Sequence, residues 1–219
     1  MVKLFIFDLD GVLASTSNEH FTAWKKVIRD RFSIEVEDCV EEKTKGVSRM
    51  DSLNKILETY DIKVSEEEKI ELAYKKNSIY INLISNFDEK NIFIGVVKLF
   101  EFLKDNNILI ALGSASKNGP TIIKSLGIKK YFDFVVDPGP LKSKPNPEIF
   151  LNAMNHFGFS PSECIGVEDA ISGVSAIKSA GMKAIGIGSK KILYHADYIY
   201  EEIKDINYSF LETLIKDEK

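Results

Sequence analysis

The segment Phe5–Phe21, FIFDLDGVLASTSNEHF, decides the fold of this chain of 219 residues. It begins inside VKLFIF at 2–7, a largely apolar run without turn formers that predicts a buried strand. Two carboxylates, Asp8 and Asp10, follow the run directly, with one leucine between them. Since two ionised carboxylates repel each other at close range, we expect this pair to hold a ligand between them.

The composition excludes several classes of protein. A hydrophobic fraction of 44% is ample for a core, whereas a net charge of −4 and a pI near 5.5 leave no basic surface for nucleic acid. The two cysteines, Cys39 and Cys164, form no CxxC or Cys/His cluster, so neither a zinc site nor a disulfide framework is predicted. The first apolar run ends too early for a signal peptide, and no run approaches the ~20 apolar residues of a membrane span. We therefore expect a soluble, cytoplasmic protein that does not bind membranes.

Short apolar runs alternate with helical patterns along most of the chain. The runs predict further strands at 108–112, 132–136, 164–167 and 183–188. Helical patterns precede or separate these strands, at 96–105, 121–127, 148–158 and 170–181. Alternation of this kind predicts right-handed βαβ units and an α/β fold with a parallel sheet.

Residues 16–87 show a different pattern, with several helices and no convincing strand. Ser48 is predicted to cap one of these helices, and Ser65 with Glu68 matches a capping box at the start of another. We therefore predict that a helical insert interrupts the α/β core, with the core at 1–15 and 88–219 and the insert at 16–87.

Polar side chains follow the predicted strands where each strand ends. Asp8 and Asp10 follow the first strand, and the other candidates are Ser114 in the loop SASKNGP, Lys144 after the third strand, and Glu168 and Asp169 after the fourth. Ligands of open parallel sheets bind beyond the carboxyl ends of the strands, so we expect all six on one rim. Each residue alone would be an ordinary turn or cap, but together they indicate a site.

Four carboxylates in one pocket require a cation. Oxygen ligands without thiolate or imidazole select Mg²⁺, which also binds the oxygens of a phosphate. Asp8, held beside a phosphoryl group, is placed to attack phosphorus as a nucleophile. Asp10 lies two positions on and so projects to the same side, where it can give or take the proton of the substrate oxygen. Protonation of Asp10 at pH 7 needs its pKa raised by roughly three units. Like-charge repulsion from a phosphorylated Asp8 would supply much of that.

Two further features predict phosphate binding. Ser114 and the backbone N–H groups that lead to a helix at Pro120 predict a phosphate-binding loop, because helix N-termini favour anions. Lys144 adds positive charge against the negative charge of a transferring phosphoryl group.

Seven short motifs resemble the haloacid dehalogenase superfamily of phosphotransferases, and in particular its sugar-phosphate mutases. They are FDLDGV, HFTAW, KGVSRMDSL, KKN, SASKNGP, SKPNPEIF and GVEDA. The resemblance covers nearly the whole chain and is weakest after Lys190. The resemblance implies a doubly wound, Rossmann-like parallel sheet core with a small helical cap that closes over the site. It also implies an enzyme that interconverts β-glucose 1-phosphate and glucose 6-phosphate through a phospho-aspartate and a bisphosphate.

The resemblance implies roles for individual residues. Asp8 would be the phosphorylated nucleophile and Asp10 the general acid/base. The ligands of Mg²⁺ would be Asp8, the carbonyl of Asp10, Glu168 and Asp169, and the transferring phosphate would be bound by Ser114, Ala115 and Lys144. The remaining substrate-binding positions would be Thr16 and His20 at the hinge, Lys45, Gly46, Arg49, Ser52, Lys76 and Asn77 in the cap, and Ser116, Lys117 and Asn118 in the core.

The residues leave two other functions open. A phosphatase of the same superfamily would use the same core residues but let water take the phosphoryl group. It would not need the second anion site that KGVSR at 45–49 offers in the cap. A catalytically inactive phosphosugar-binding module would not need Asp10. In each case we expect a small sugar phosphate as the partner, and we expect a monomer.

Overall fold

The computed structural model describes residues 1–216, and a parallel sheet of six strands lies at its centre. The strands are β1 Leu4–Phe7, β2 Leu109–Leu112, β3 Phe134–Val135, β4 Cys164–Glu168, β5 Lys183–Ile187 and β6 Tyr198–Tyr200. Their order across the sheet is β3-β2-β1-β4-β5-β6, and each neighbouring pair is parallel. The chain winds outward from β1 in both directions, so the predicted doubly wound fold is confirmed.

Nine α-helices lie within the described residues. They are α1 Ser17–Phe32, α2 Glu41–Thr44, α3 Arg49–Thr59, α4 Glu66–Leu83, α5 Val96–Asp105, α6 Gly119–Ser125, α7 Glu148–Phe157, α8 Ile171–Ser179 and α9 Tyr208–Lys216. The first five lie between β1 and β2, and the other four alternate with or follow the remaining strands.

Helices cover both faces of the sheet, which explains why β1 is apolar at every position. Its side chains alternate between two apolar clusters, with Phe5 and Phe7 in one, and Leu4 and Ile6 in the other. Helices α5, α6 and α9 contribute to the first cluster, whereas α7 and α8 contribute to the second. Burial on both faces removes the polar–apolar alternation of a half-exposed strand.

The position of β1 places the two aspartates at the centre of the sheet edge. Phe7 pairs with Leu112 of β2 on one side and with Val167 of β4 on the other. The Asp8 N–H donates to the Val167 carbonyl at 3.0 Å, which continues the ladder by one residue. Asp8 is therefore held between the ends of β2 and β4.

Helices α1, α3 and α4 pack around an apolar cluster of their own. Its buried members include Trp24 and Ile28 of α1, Leu53 and Ile56 of α3, and Leu72 of α4. No strand occurs between 16 and 87, a stretch that the structure describes throughout. The exact division of the chain at 15/16 and 87/88 stays a prediction.

The predicted helix caps form, with one correction. The Ser48 side chain accepts a hydrogen bond from the N–H of Asp51, and the Ser65 side chain accepts one from the N–H of Glu68. The reciprocal half of the capping box was wrong, because the Glu68 carboxylate accepts a hydrogen bond from Arg31 at 2.8 Å instead. A charged donor on α1 thus outcompetes the backbone N–H as partner.

Three elements escaped the sequence patterns. Helix α2 has a single turn, β6 has three half-buried residues, and α9 lies near the end of the chain. Four predicted strands are also shorter than expected: 2–7 and 132–136 lose two and three residues, and 108–112 and 183–188 lose one residue each. Among the described residues, no helix has both the length and the apolar character needed to cross a membrane.

Candidate active site

Three carboxylates and a lysine meet at the carboxyl ends of β1 and β4. Asp8, Glu168 and Asp169 each offer a carboxylate oxygen, and these atoms lie within 4.8 Å of one another. The Lys144 Nζ donates to Asp8 Oδ1 and to Glu168 Oε1, both at 2.6 Å. Asp8, Lys144 and Glu168 are buried. The rim predicted from the strand ends thus brings these four side chains together.

Two glycines let the backbone approach this cluster closely. Gly11 has a φ of +85°, and a Cβ there would lie 2.0 Å from Asp169 Oδ2. A Cβ at Gly173 would lie 1.9 Å from the carboxyl group of Glu168. At both positions a larger residue would displace a carboxylate of the cluster.

Burial and mutual repulsion change the protonation of the carboxylates. Burial raises the pKa of Asp8 to about 7, with the charges of Glu168 and Asp10 adding to the effect and Lys144 opposing it. Burial, together with the charges of Glu168 and Asp8, raises the pKa of Asp169 well above its usual range. Lys144 therefore neutralises only part of the negative charge. A buried set of hard oxygen donors with surplus negative charge fits a divalent cation.

The Asp10 side chain is not part of that cluster. Thr16 Oγ1 donates a hydrogen bond to Asp10 Oδ1, and His20 Nε2 lies 3.5 Å from the same oxygen. The Asp10 N–H donates to Asp8 Oδ2 at 3.1 Å, which ties the two aspartates together. Burial raises the pKa of Asp10, but His20 and the hydrogen bonds outweigh it and the pKa is lowered. Asp10 is thus ionised in the unphosphorylated protein and ready to accept a proton.

His20 connects Asp10 to the helical insert. Its Nδ1 contacts Lys76 Nζ of α4, and its ring stacks on Tyr80 at 3.8 Å with an interplanar angle of 15°. Lys76 is only 2% exposed, and burial together with the Arg49 charge lowers its pKa to about 7. The charge of Lys76 on α4 is thereby linked to the charge of Asp10.

A second group of polar contacts joins the insert to the core. Arg49 Nη2 donates to Asn77 Oδ1 at 2.7 Å, and Asn118 Nδ2 donates to the same oxygen at 3.0 Å. Asn118 belongs to the loop after β2, in which the Ser114 Oγ accepts from the Ser116 N–H at 3.1 Å. The guanidinium of Arg49 therefore keeps unused donors beside this loop.

The stretch 45–48 is in close contact with the core. Ser172 Oγ donates to the Lys45 carbonyl at 2.9 Å, and the Ser48 N–H donates to Ser143 Oγ at 2.7 Å. Gly46 has a φ of +69°, and a Cβ there would lie 2.6 Å from Ser172 Oγ. The Lys45 side chain is not free, since its Nζ pairs with Glu42 at 2.6 Å.

A cavity of about 500 Å³ lies between the insert and the core. Twelve of the sequence-predicted residues line it: Asp8, Asp10, His20, Lys45, Gly46, Arg49, Ser52, Lys76, Ala115, Ser116, Lys117 and Lys144. Other predicted residues contact this set without lining the cavity: Thr16, Asn77, Ser114, Asn118, Glu168 and Asp169. The predicted residues therefore converge on one space, and their individual roles stay predictions.

Comparison with known proteins decides the family. A model of the haloacid dehalogenase-like hydrolases matches residues 2–181. The chain belongs to this family. The resemblance seen in the sequence is thereby confirmed, and with it the expectation of an enzyme.

Several relatives of this haloacid dehalogenase-like chain carry a more specific name. Beta-phosphoglucomutase of Bacillus subtilis (strain 168) is 40% identical over 213 residues, which is 96% of this chain and 94% of that protein. A crystal structure of beta-phosphoglucomutase from Clostridium difficile superposes with a TM-score of 0.94 at 38% identity and covers 98% of this chain and 97% of that one. Phosphorylated carbohydrates phosphatase of Thermotoga maritima is 31% identical over 188 residues, or 84% of each chain.

Sequence reasoning missed three residues that hold the haloacid dehalogenase-like site together. The side chains of Ser143 and Ser172 form hydrogen bonds with the backbone of the insert, and the ring of Tyr80 stacks on the ring of His20. Serines in loops give no periodic signal. Tyr80 fits the apolar pattern of α4, so it reads as an ordinary core residue.

We expect Lys76→Met to be more stable than wild type at neutral pH. This gain in stability should disappear at alkaline pH. With a pKa of about 7 in the folded state and ~10.4 unfolded, Lys76 releases its proton on folding between these values. The unfolded state then binds more protons, so wild-type stability rises with pH by ~1.4 kcal/mol per unit. Urea titrations measure the free energy of unfolding of Lys76→Met minus that of wild type. This difference should fall by about 2 to 3 kcal/mol from pH 7 to pH 9.

Lys75→Met is the matched control for this measurement. Lys75 is adjacent, half-exposed and paired with Glu71. Its difference from wild type should stay constant over the same pH range. A constant difference for Lys76→Met as well would contradict the lowered pKa of Lys76.

Proposed function

We propose that the chain is a β-phosphoglucomutase, which interconverts β-glucose 1-phosphate and glucose 6-phosphate through a phospho-aspartate at Asp8 and β-glucose 1,6-bisphosphate. The observation that carries the proposal is a cavity with a buried aspartate on the core side and cationic side chains on the insert side. Asp8 and Lys144 line it from the core, and Lys45 and Arg49 line it from the insert. The relatives named beta-phosphoglucomutase support the choice.

The carboxylate cluster is the proposed magnesium site. Its ligands would be carboxylate oxygens of Asp8, Glu168 and Asp169 and the carbonyl of Asp10. The raised pKa values of Asp8 and Asp169 support this, because a bound cation would relieve the repulsion that raises them. Mg²⁺, when bound, supplies charge neutralisation and orientation to a phosphoryl group beside Asp8.

Asp8 and Asp10 divide the chemistry between them. An Asp8 oxygen forms a bond to phosphorus while the bond from phosphorus to the sugar oxygen breaks, and Asp10 gives that oxygen a proton. In the reverse step Asp10 takes the proton of a sugar hydroxyl that attacks the phospho-aspartate. The lowered pKa of Asp10 keeps its carboxylate ionised, which is the form that the base role requires. The negative charge of the phosphoryl group beside Asp8 would raise this pKa and so favour the protonated form that the acid role requires. Thr16 and His20 hold Asp10 in place for both steps.

The transferring phosphate would be bound by Ser114, Ala115 and Lys144. Lys144 Nζ donates to Asp8 Oδ1 at 2.6 Å, so it is placed beside the phosphorus that Asp8 would attack. Its positive charge is secure, since the neighbouring carboxylates raise its pKa despite burial. A fixed cation of this kind stabilises the negative charge of the transition state.

The distal phosphate and the sugar would be bound by the residues of the insert. The proposed positions are Lys45, Gly46, Arg49, Ser52, Lys76 and Asn77, with Ser116, Lys117 and Asn118 opposite them on the core. In this proposal 16–87 is a cap domain on a core of 1–15 and 88–219. We further propose that the enzyme acts as a monomer in the cytoplasm, in keeping with its two free thiols.

A sugar-phosphate phosphatase is the second candidate, favoured by the named phosphatase relative. One assay separates the two. Purified protein is incubated with β-glucose 1-phosphate, Mg²⁺ and a trace of the bisphosphate, and both glucose 6-phosphate and free phosphate are followed. A mutase forms glucose 6-phosphate with little phosphate release, a phosphatase releases phosphate, and a binding module does neither.

We expect Arg49→Ala to reduce mutase kcat/KM by about one to two powers of ten. The bisphosphate must be held at both ends, and a charged hydrogen bond from Arg49 is worth roughly 1.5–3 kcal/mol, at ~1.4 kcal/mol for each factor of ten. Hydrolysis of acetyl phosphate should fall much less, because a small phosphate at Asp8 does not extend to the insert. Steady-state kinetics with β-glucose 1-phosphate and with acetyl phosphate measure the two losses, which are then compared.

Arg29→Ala is the matched control, since Arg29 is an exposed arginine on α1 away from the cavity. It should leave both activities unchanged. An equal loss of both activities in Arg49→Ala would mean that Arg49 supports the fold or the core site. No loss of mutase activity would favour the phosphatase.

A further inference from the structure

The mouth of the cavity carries two apolar side chains that the proposed reaction does not use. Ile70 and Tyr74 line the cavity although they are 64% and 75% exposed. They lie four residues apart on α4, so their side chains stand next to each other on one face of the helix. The cavity therefore meets solvent along an apolar and aromatic edge.

Helix α4 changes character along its length. Asn77 and the buried Lys76 contact polar groups of the site, as described above. Ile70 and Tyr74 precede them by up to two turns, and Met50 of α3 lines the cavity as well. Buried polar groups thus lie deep in the cavity, and its exposed lining combines this apolar surface of α4 with Lys117 and Lys142 of the core.

The mouth of the cavity is open to solvent although hydrogen bonds connect the insert to the core. The hydrogen bonds from Ser48 to Ser143 and from Asn118 to Asn77 close the cleft between the two parts. Tyr74 is nevertheless largely exposed. A substituent on a bound sugar can therefore extend past this side chain without breaking either contact.

We propose that Ile70 and Tyr74 form a subsite for a second sugar ring, so that the chain accepts phosphorylated disaccharides as well as hexose phosphates. The proposal rests on the sugar-phosphate function above and widens the substrate class of the same site. A pyranose ring has a face of C–H groups and an edge of hydroxyls, which matches the apolar ring and single hydroxyl of a tyrosine. The cavity volume of about 500 Å³ lies within the range of roughly 300–1,000 Å³ that is usual for small-molecule sites.

Calorimetric titration of the Mg²⁺-loaded protein tests the subsite with two probes. One is glucose 6-phosphate, and the other is the same molecule carrying a second glucose on its O4. We expect the disaccharide phosphate to bind wild type at least as tightly as the hexose phosphate. Tyr74→Ala should weaken it about fivefold to tenfold, as for the loss of an aromatic contact, and should change hexose phosphate binding less than twofold. Tyr74→Phe keeps the aromatic ring, so it should bind both probes with the dissociation constants of wild type.

Ile81→Ala is the control, because Ile81 is a half-exposed residue of α4 that does not line the cavity. It should leave the dissociation constants of both probes unchanged. The subsite is refuted if the hexose phosphate binds and the disaccharide phosphate does not, or if Tyr74→Ala weakens both alike or neither. Failure of the proposed reaction looks different: wild type would bind both probes yet convert no β-glucose 1-phosphate, and the subsite would stand.

Discussion

Asp8→Asn is expected to lower phosphoryl transfer by at least ~10⁴-fold, as for loss of a catalytic nucleophile in other enzymes. The amide cannot form the bond to phosphorus that we propose for the carboxylate. The fold should survive, because the pKa of Asp8 is already raised to about 7 and a neutral side chain of the same shape suits the buried position. Lys144 keeps Glu168 as its partner in the variant. Mutase kinetics and a circular dichroism spectrum measure the two effects.

Mass spectrometry after treatment with acetyl phosphate and Mg²⁺ gives an independent readout. Wild type should gain the mass of one phosphoryl group, and Asp8→Asn should gain none. Asp105→Asn is the control, since Asp105 is an exposed aspartate at the end of α5. A phosphorylated or active Asp8→Asn protein would show that another residue is the nucleophile.

The sheet was predictable because its strands are buried on both faces. The four-residue run of β1 has no exposed side chain, so it stands out against its neighbours. Strand β6 was not predictable, since Tyr198–Tyr200 forms the edge of the sheet and is half-exposed throughout. A short edge strand depends on pairing with β5, and its own sequence carries little signal.

The candidate site was predictable to the level of strand ends. Parallel strands bring their carboxyl ends together, so Asp8, Glu168 and Asp169 had to lie on one rim. The choice of hydrogen-bond partners was not predictable. Asp10 turns to Thr16 and His20 rather than to the carboxylate cluster, because of where α1 begins relative to β1. Such choices depend on distances across the fold, which one sequence does not contain.

Removal of Mg²⁺ with a chelator is expected to stop turnover, and added Mg²⁺ should restore it. The buried carboxylates of Asp8 and Glu168 share Lys144, and the half-buried Asp169 lies beside them, so without a cation the cluster relieves its surplus negative charge by binding protons. A protonated Asp8 is no nucleophile. Full activity in excess chelator would contradict the metal assignment of Glu168 and Asp169.

The pH dependence of metal binding follows from the raised pKa of Asp8. Its folded value of about 7 exceeds the usual ~4, so between these values the folded state holds the extra proton. Metal-free stability therefore falls as the pH rises through this window. A cation must displace the proton, so Mg²⁺ should bind up to about tenfold more weakly for each pH unit below 7. The rise in melting temperature on adding Mg²⁺ should accordingly be larger at pH 8 than at pH 6.

Two matched variants separate the site from general salt effects. Glu168→Gln removes one charge from the cluster, and the Mg²⁺-dependent rise in its melting temperature should largely disappear. Glu163→Gln removes a carboxylate that pairs with Lys3 at the surface, and its response to Mg²⁺ should match wild type. Equal responses of the two variants would mean that Mg²⁺ acts on the surface. If only Glu168→Gln loses the Mg²⁺-dependent rise in melting temperature, and the loss grows with pH, the ion is assigned to the carboxylates at the ends of β1 and β4. A cation bound there would neutralise their charge and make Asp8 available as a nucleophile.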